Sequence, residues 1–312
     1  MSQQYAVGTD IAGSHISCAL IDLEHRMILP ESRVTSPVDN KASAEEILSV
    51  WSETIGDALL GIDTGELAGI GFAMPGPFDY VKGIALFRLV EKFLGLYGVN
   101  VSDGIRKKLD LAPSIPFRYM NDATAFAVGE AWMGTATGTR KSVSITLGTG
   151  FGSAFIDDGI PVVDRADTPK MGCVWHLPFK EGIADDYFST RWYTKKYESL
   201  TGISVPGVRE IAGEARKDPK IAALFNEFGG DLGSFLGEWL VRFNAEVLVI
   251  GGNLAGAADL FMPAFEQSLK ELHCQTRIAW SELKEDAAII GSARLLDPAY
   301  WSKIEPLIEK MN

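Results

Sequence analysis

The feature that most constrains this chain is a strand–turn–strand unit that occurs twice. "VGTDIAGSHISCALID" (7–22) runs from an apolar strand through a small-residue turn into a second apolar strand ending in Asp. "SITLGTGFGSAFIDDG" (144–159) repeats that order with a richer set of glycines. Glycine tolerates positive φ and lets backbone N–H groups converge with no Cβ in the way. Converging N–H groups form a concavity for anions. Thr9, Ser14, Thr149 and Ser153 add hydroxyl donors. A single hairpin of this kind is also an ordinary tight turn. Two of them, with Asp10 inside the first, predict a paired grip on a polyphosphate. A carboxylate beside phosphate needs a cation between them, and Mg²⁺ prefers carboxylate, water and phosphate oxygens. Asp10 is therefore a candidate for Mg²⁺, held through water.

The remainder of the chain alternates strand and helix. Helical periodicity covers 42–62, and "ELAGIGFA" (66–73) is a buried strand ended by the Pro/Gly turn "MPGPFD" (74–79). A helix over 101–109 starts behind a Ser102/Asp103 cap. "IPFRYM" (115–120) is a strand running into Asn121-Asp122 and a helix. Helices dominate 184–243, "EVLVIGG" (246–252) is a strand, and further helices cover 257–272 and 286–295, with a short strand between them. This order predicts an α/β protein of two duplicated halves facing an interdomain cleft. The expected lobes are 1–118 and 119–296, with a C-terminal helix near 297–312 returning to the first.

Neither hairpin has the GxxxxGK[ST] pattern, and no GxGxxG opens a helix after a strand. Gly251-Gly252, between a strand and a helix, reads either as a place where an adenine or ribose approaches the backbone or as a plain strand-to-helix turn. Asp122, at a strand end and helix start, reads either as an N-cap or as the acceptor of a hydroxyl proton in phosphoryl transfer.

Net charge is −12, from 29 basic and 41 acidic residues. With no basic patch this argues against nucleic acid and anionic membranes as partners. The three cysteines are far apart, as expected of reduced thiols in a cytoplasm. The opening "MSQQYAVGTD" has neither a basic n-region nor an apolar h-region, which predicts no secretory signal.

Together, "GTDIAGSHISCALID", "GFAMPGPFD", "YMNDATAFAVGEAWMG", "SITLGTGFGSAFIDDG" and "VLVIGG" resemble the ROK family, in its order and spacing, over nearly the whole chain. The resemblance implies a two-lobed, actin-like (ribonuclease H-like) ATPase fold. It implies an ATP- and Mg²⁺-dependent sugar kinase, acting on the 6-hydroxyl of a hexose or hexose derivative and assembled as a homodimer. In that reading Asp122 is the base and Asn121, Pro75 and Gly76 adjoin the sugar. Asp10, Gly13 and Ser14 form the first phosphate turn, and Gly148, Thr149, Gly150 and Gly152 the second. Gly251 and Gly252 approach adenosine. The sugar side departs from the family. "GCVWH" (172–176) keeps His176 but puts Cys173 where a Glu is expected, and the cysteine-rich zinc loop is missing, so no zinc site is expected. His176 is then free to contact sugar, and Asp185 falls at a sugar-contacting Glu. The expected Asn after the Pro-Gly turn is also absent, with Lys92 nearby in "VEKFLGLYGVNV" (90–101). Trp175, Trp192 and Tyr193, around this segment, read as helix packing or, alternatively, as platforms that stack on sugar C–H faces. The alternative is a sugar sensor without kinase activity. The winged helix of the family's repressors has no room before the first hairpin, so it would not bind DNA.

Overall fold

The structure is a computed structural model that describes residues 4–88 and 92–311. Val90 and Glu91 of the divergent segment lie outside the described residues. The chain divides into two compact units. One comprises Met1–Thr137, Gly159–Pro161 and Glu285–Asn312; the other comprises Gly138–Asp158 and Val162–Lys284.

In the first unit the antiparallel hairpin of strands Tyr5–Ile11 and His15–Asp22 leads into a parallel series. Tyr5–Ile11 pairs in parallel with Leu67–Met74, which pairs in parallel with Phe117–Asn121. Every residue of Leu67–Met74 is buried, as expected of a parallel strand covered on both faces. Strand Val34–Pro37, which carries no clear pattern in the sequence, extends the sheet beyond His15–Asp22. The covering helix Ala44–Ala58 opens with a complete capping box between Ser43 and Glu46.

The second unit repeats the plan. The hairpin Lys141–Leu147/Phe151–Asp157 continues in parallel through Val247–Gly251 to Arg277–Trp280. Its helices gather an aromatic core. Tyr193 lies 4.7 Å from Phe225 and 4.8 Å from Phe228 between ring centroids, and Trp192 lies 5.8 Å from Phe228. Trp192 and Tyr193 are thus packing residues.

The expected boundary at 118/119 moves to 137/138, and 285–296 joins the first unit. The cause is helix Asp286–Arg294, which is seated on the first sheet and on helix Asp122–Trp132 at backbone distance. A methyl group built on Gly8 would lie 2.0 Å from Ile289 O, and one on Gly71 2.0 Å from Ser292 O. One on Gly129 would lie 1.9 Å from Ala287 O, and one on Gly291 1.8 Å from Ala125 O. Ser292 Oγ also accepts a 3.0 Å hydrogen bond from Thr9 N and donates to Thr9 O at 3.1 Å.

Two caps differ from expectation. Asn100, not Ser102 or Asp103, caps helix Val101–Leu109, accepting from Asp103 N, while Ser102 Oγ bonds Tyr119 Oη at 2.7 Å. Asn121, not Asp122, caps helix Asp122–Trp132.

Overpacking a well-packed core costs about 1–3 kcal/mol, and here the added atom meets a backbone carbonyl that cannot rotate away. Gly291→Ala is expected to lower stability by at least about 2 kcal/mol in urea unfolding. Gly213→Ala, on an exposed helix position with nothing within 4 Å, is the control and should be neutral or stabilising. Equal effects of the two substitutions would contradict the packing account.

Candidate active site

The parallel register of the first unit brings its candidate residues to the same strand ends. Asp10 pairs with Ala73, and Met74 pairs with Asn121. The turn at Pro75-Gly76 therefore follows a strand flanked by those bearing Asp10 and Asn121. Carboxyl ends of parallel strands are where open α/β sheets bind ligands. Tyr80 Oη donates to Met74 O at 3.0 Å and tethers the turn.

Asn121 Oδ1 accepts from Thr124 N at 3.2 Å, and its Nδ2 donates to Asp122 Oδ1 at 2.9 Å. Ala123 N donates to the same oxygen at 2.8 Å. Both bonds fall on Oδ1. Among the described residues no group donates to Oδ2, and the side chain is only half-buried. Because Asn121 takes the cap, Asp122 keeps an oxygen for something else.

Asp10 sits near enough to Asp122 and Glu285 to feel both. Burial, then Asp122, then Glu285, push its carboxyl up to about 7. The influence of Glu285 was invisible in sequence, where it is one more charge before a helix 275 residues from Asp10. The Asp10 carboxylate has no hydrogen-bond or ion-pair partner among the described residues. A hard oxygen donor in an uncompensated acidic setting suits Mg²⁺ shared with phosphate and water. Among the described residues no three His, Cys, Asp or Glu side chains cluster as a metal site.

In the first turn, Gly13 is half-buried and Ser14 is exposed. Asn40 Nδ2 donates to Gly13 O, and Ser14 Oγ bonds His15 Nδ1 at 3.1 Å. In the second unit, Gly148 N donates to Gly150 O at 3.1 Å, closing a tight loop with Thr149 and Gly150 exposed. Gly152 follows on the return strand. Gly251 pairs with Thr146, and Gly252 has φ +92°. A methyl group on Gly252 would lie 2.3 Å from Leu147 O, so packing beside the hairpin already demands glycine there.

Asp185 is engaged within its unit. Its Oδ1 accepts from Phe151 N at 2.7 Å, and its Oδ2 pairs with Arg191. Thr190 N donates to Gly148 O at 2.8 Å. Asp185 and Thr190 thus brace the second glycine turn. His176 Nδ1 lies 3.8 Å from Cys173 Sγ, its ring is edge-on to the exposed Trp175, and burial lowers its pKa.

The chain matches the ROK family over residues 6–298. It belongs to that family. It is 25% identical to a glucokinase of Thermotoga maritima, over 93% of this chain and 96% of that one. It is 24% identical to an N-acetyl-D-glucosamine kinase of Pectobacterium atrosepticum, over 81% and 85%. A ROK family glucokinase of Streptomyces griseus, solved with glucose and AMPPNP, superposes with a TM-score of 0.71 at 23% identity, covering 93% of this chain and 98% of that one. The fold is the actin-like two-domain fold of the ROK sugar kinases. Among the described residues no helix is long and apolar enough to cross a membrane.

The raised Asp10 carboxyl has a stability consequence. An unfolded Asp titrates near 4, so between about pH 4 and about pH 7 the folded protein holds a proton the unfolded chain has lost. Stability falls as pH rises through that window, and the full penalty is present above it. Asp10→Asn should therefore be more stable than the parent by roughly 1–3 kcal/mol at about pH 8, and nearly equal to it at about pH 4. Urea unfolding at the two pH values checks this; the same difference at both would contradict it.

Proposed function

We propose that this protein is a carbohydrate kinase that transfers the γ-phosphoryl group of ATP to a hydroxyl, the 6-hydroxyl, of a hexose or hexose derivative. The observation that carries the reading is Asp122 Oδ2, an unengaged carboxylate oxygen at a helix start and strand end, next to the acidic Asp10 site. Membership of the ROK family and the glucokinase and N-acetylglucosamine kinase relatives support the reaction class. A fold neighbour that holds glucose and AMPPNP supports the pair of ligands.

Asp122 Oδ2 accepts the proton of the acceptor hydroxyl as that oxygen bonds the γ-phosphorus; the bond to the bridging oxygen breaks and ADP leaves. Asn121 and the backbone N–H of Ala123 hold the other oxygen, so the base arrives pre-oriented. Asn121, Pro75, Gly76 and His176 are the acceptor-side residues. Gly13 and Ser14 offer backbone and hydroxyl donors to phosphate oxygens, as do Gly148, Thr149, Gly150 and Gly152. Gly251 and Gly252 adjoin the nucleoside. Asp10 would hold Mg²⁺ through water, and that ion supplies charge neutralisation for the phosphates. Phosphoryl transfer asks mainly for positioning and charge compensation, which this set provides.

General-base assistance contributes about 10²–10⁴-fold. Asp122→Asn should lose at least about a hundredfold in kcat while binding Mg·AMPPNP with little change. A kcat close to the parent value would remove Asp122 from the role of base. ATP consumption measured against hexoses and N-acetylhexosamines separates a kinase from a sensor. A sugar that binds without stimulating ATP consumption, across the whole panel, would replace the kinase reading with the sensor.

A further inference from the structure

Lys92 lies against the first glycine turn. A methyl group built on Gly13 would lie 3.7 Å from Lys92 Cδ and 3.9 Å from Asn40 Nδ2. The position of Lys92 is set by its neighbour. Phe93 is fully buried, packed between Trp51 at 5.6 Å and Phe87 at 5.7 Å. Its φ is +58°, a left-handed conformation that a bulky side chain adopts only when its surroundings impose it. Phe93 N donates to Asn40 O at 2.7 Å, and the side chain of Asn40 donates to Gly13 O. One residue, Asn40, thus ties the Lys92–Phe93 backbone to the turn. Lys92 is half-buried and makes no ion pair or hydrogen bond among the described residues. A lysine held at cost in backbone conformation, beside a turn whose N–H groups suit anions, in a chain of net charge −12, is unusual.

We propose that Lys92 binds an oxyanion at the first glycine turn. The inference rests on the kinase reading and deepens it, since that oxyanion comes either from the γ-phosphoryl group or from an acidic substituent of the acceptor. Lysine is a common point-charge partner of phosphate and carboxylate. The neighbouring carboxylates, Asp10 with Asp122 and Glu285, make an entering anion unwelcome unless a cation compensates.

Calorimetry and kinetics on the full chain, Lys92→Met and Lys92→Arg test it. If the source is the γ-phosphoryl group, Lys92→Met weakens Mg·AMPPNP by about tenfold or more and Mg·ADP much less, and Lys92→Arg largely restores binding. If the source is the acceptor, Lys92→Met lowers kcat/KM about tenfold for gluconate relative to glucose and leaves nucleotide binding alone. Gluconate carries a carboxylate and keeps the 6-hydroxyl. Changes below about threefold in both arms overturn the proposal. Unchanged melting temperature shows that Lys92→Met is folded; if it is not, Lys92→Gln replaces it. Titration with tripolyphosphate separates the two readings. Lys92-dependent tripolyphosphate binding without turnover of any sugar sinks only the kinase reading. Turnover with Lys92-independent anion binding in every arm sinks only this one.

Discussion

Backbone-to-backbone seating of helix Asp286–Arg294 is the constraint on which the first unit depends. Four glycines, Gly8, Gly71, Gly129 and Gly291, leave no space for a methyl group at its contacts. Ser292 adds a buried hydroxyl that bonds both the N–H and the carbonyl of Thr9. The helix therefore grips the strand that carries Asp10 and the helix that begins at Asp122. That common anchor explains why the two carboxylates influence each other although they are distant in sequence. Close packing of this kind resists small displacement, because interiors are dense and carbonyl groups cannot rotate out of the way.

The site has a consistent electrostatic character. Asp10, Asp122 and Glu285 form an acidic field in which Asp10 resists ionisation. Asp122 is excused from capping by Asn121 and keeps one oxygen unengaged. Such an arrangement makes sense for a group that takes up a proton next to a bound cation and phosphates. It makes less sense as a scaffold, since an ordinary cap at 121–122 would need only one polar side chain. The second unit has its own glycine turn, with a different support. Asp185 and Thr190 brace it from a helix-rich segment, and Arg191 neutralises Asp185.

Much of this was legible in the chain because turn and strand chemistry is local. The two hairpins, the helices over 44–58, 101–109 and 258–271, and the Asn121-Asp122 strand end follow from periodicity, glycine placement and capping residues. What was not legible is nonlocal. The purpose of Gly8 and Gly71 depends on a helix more than 200 residues away in the chain, so "GIGFA" reads only as a buried strand. The unit boundary was missed for the same reason. Asp185 was placed at the sugar by resemblance, and its bond to Phe151 N depends on how a loop folds back, which spacing does not encode. Whether Asn121 or Asp122 capped the helix turned on a single residue of register, which propensity does not decide.

The central claim is that a phosphorus–oxygen bond to a sugar hydroxyl is formed at Asp122. Proton-coupled ³¹P NMR of the protein with Mg·ATP and each candidate hexose reads that bond directly. The account predicts a new phosphomonoester signal split by the two protons on C6, growing as ADP appears. ADP accompanied only by inorganic phosphate, or no ADP with any sugar that binds, would contradict it.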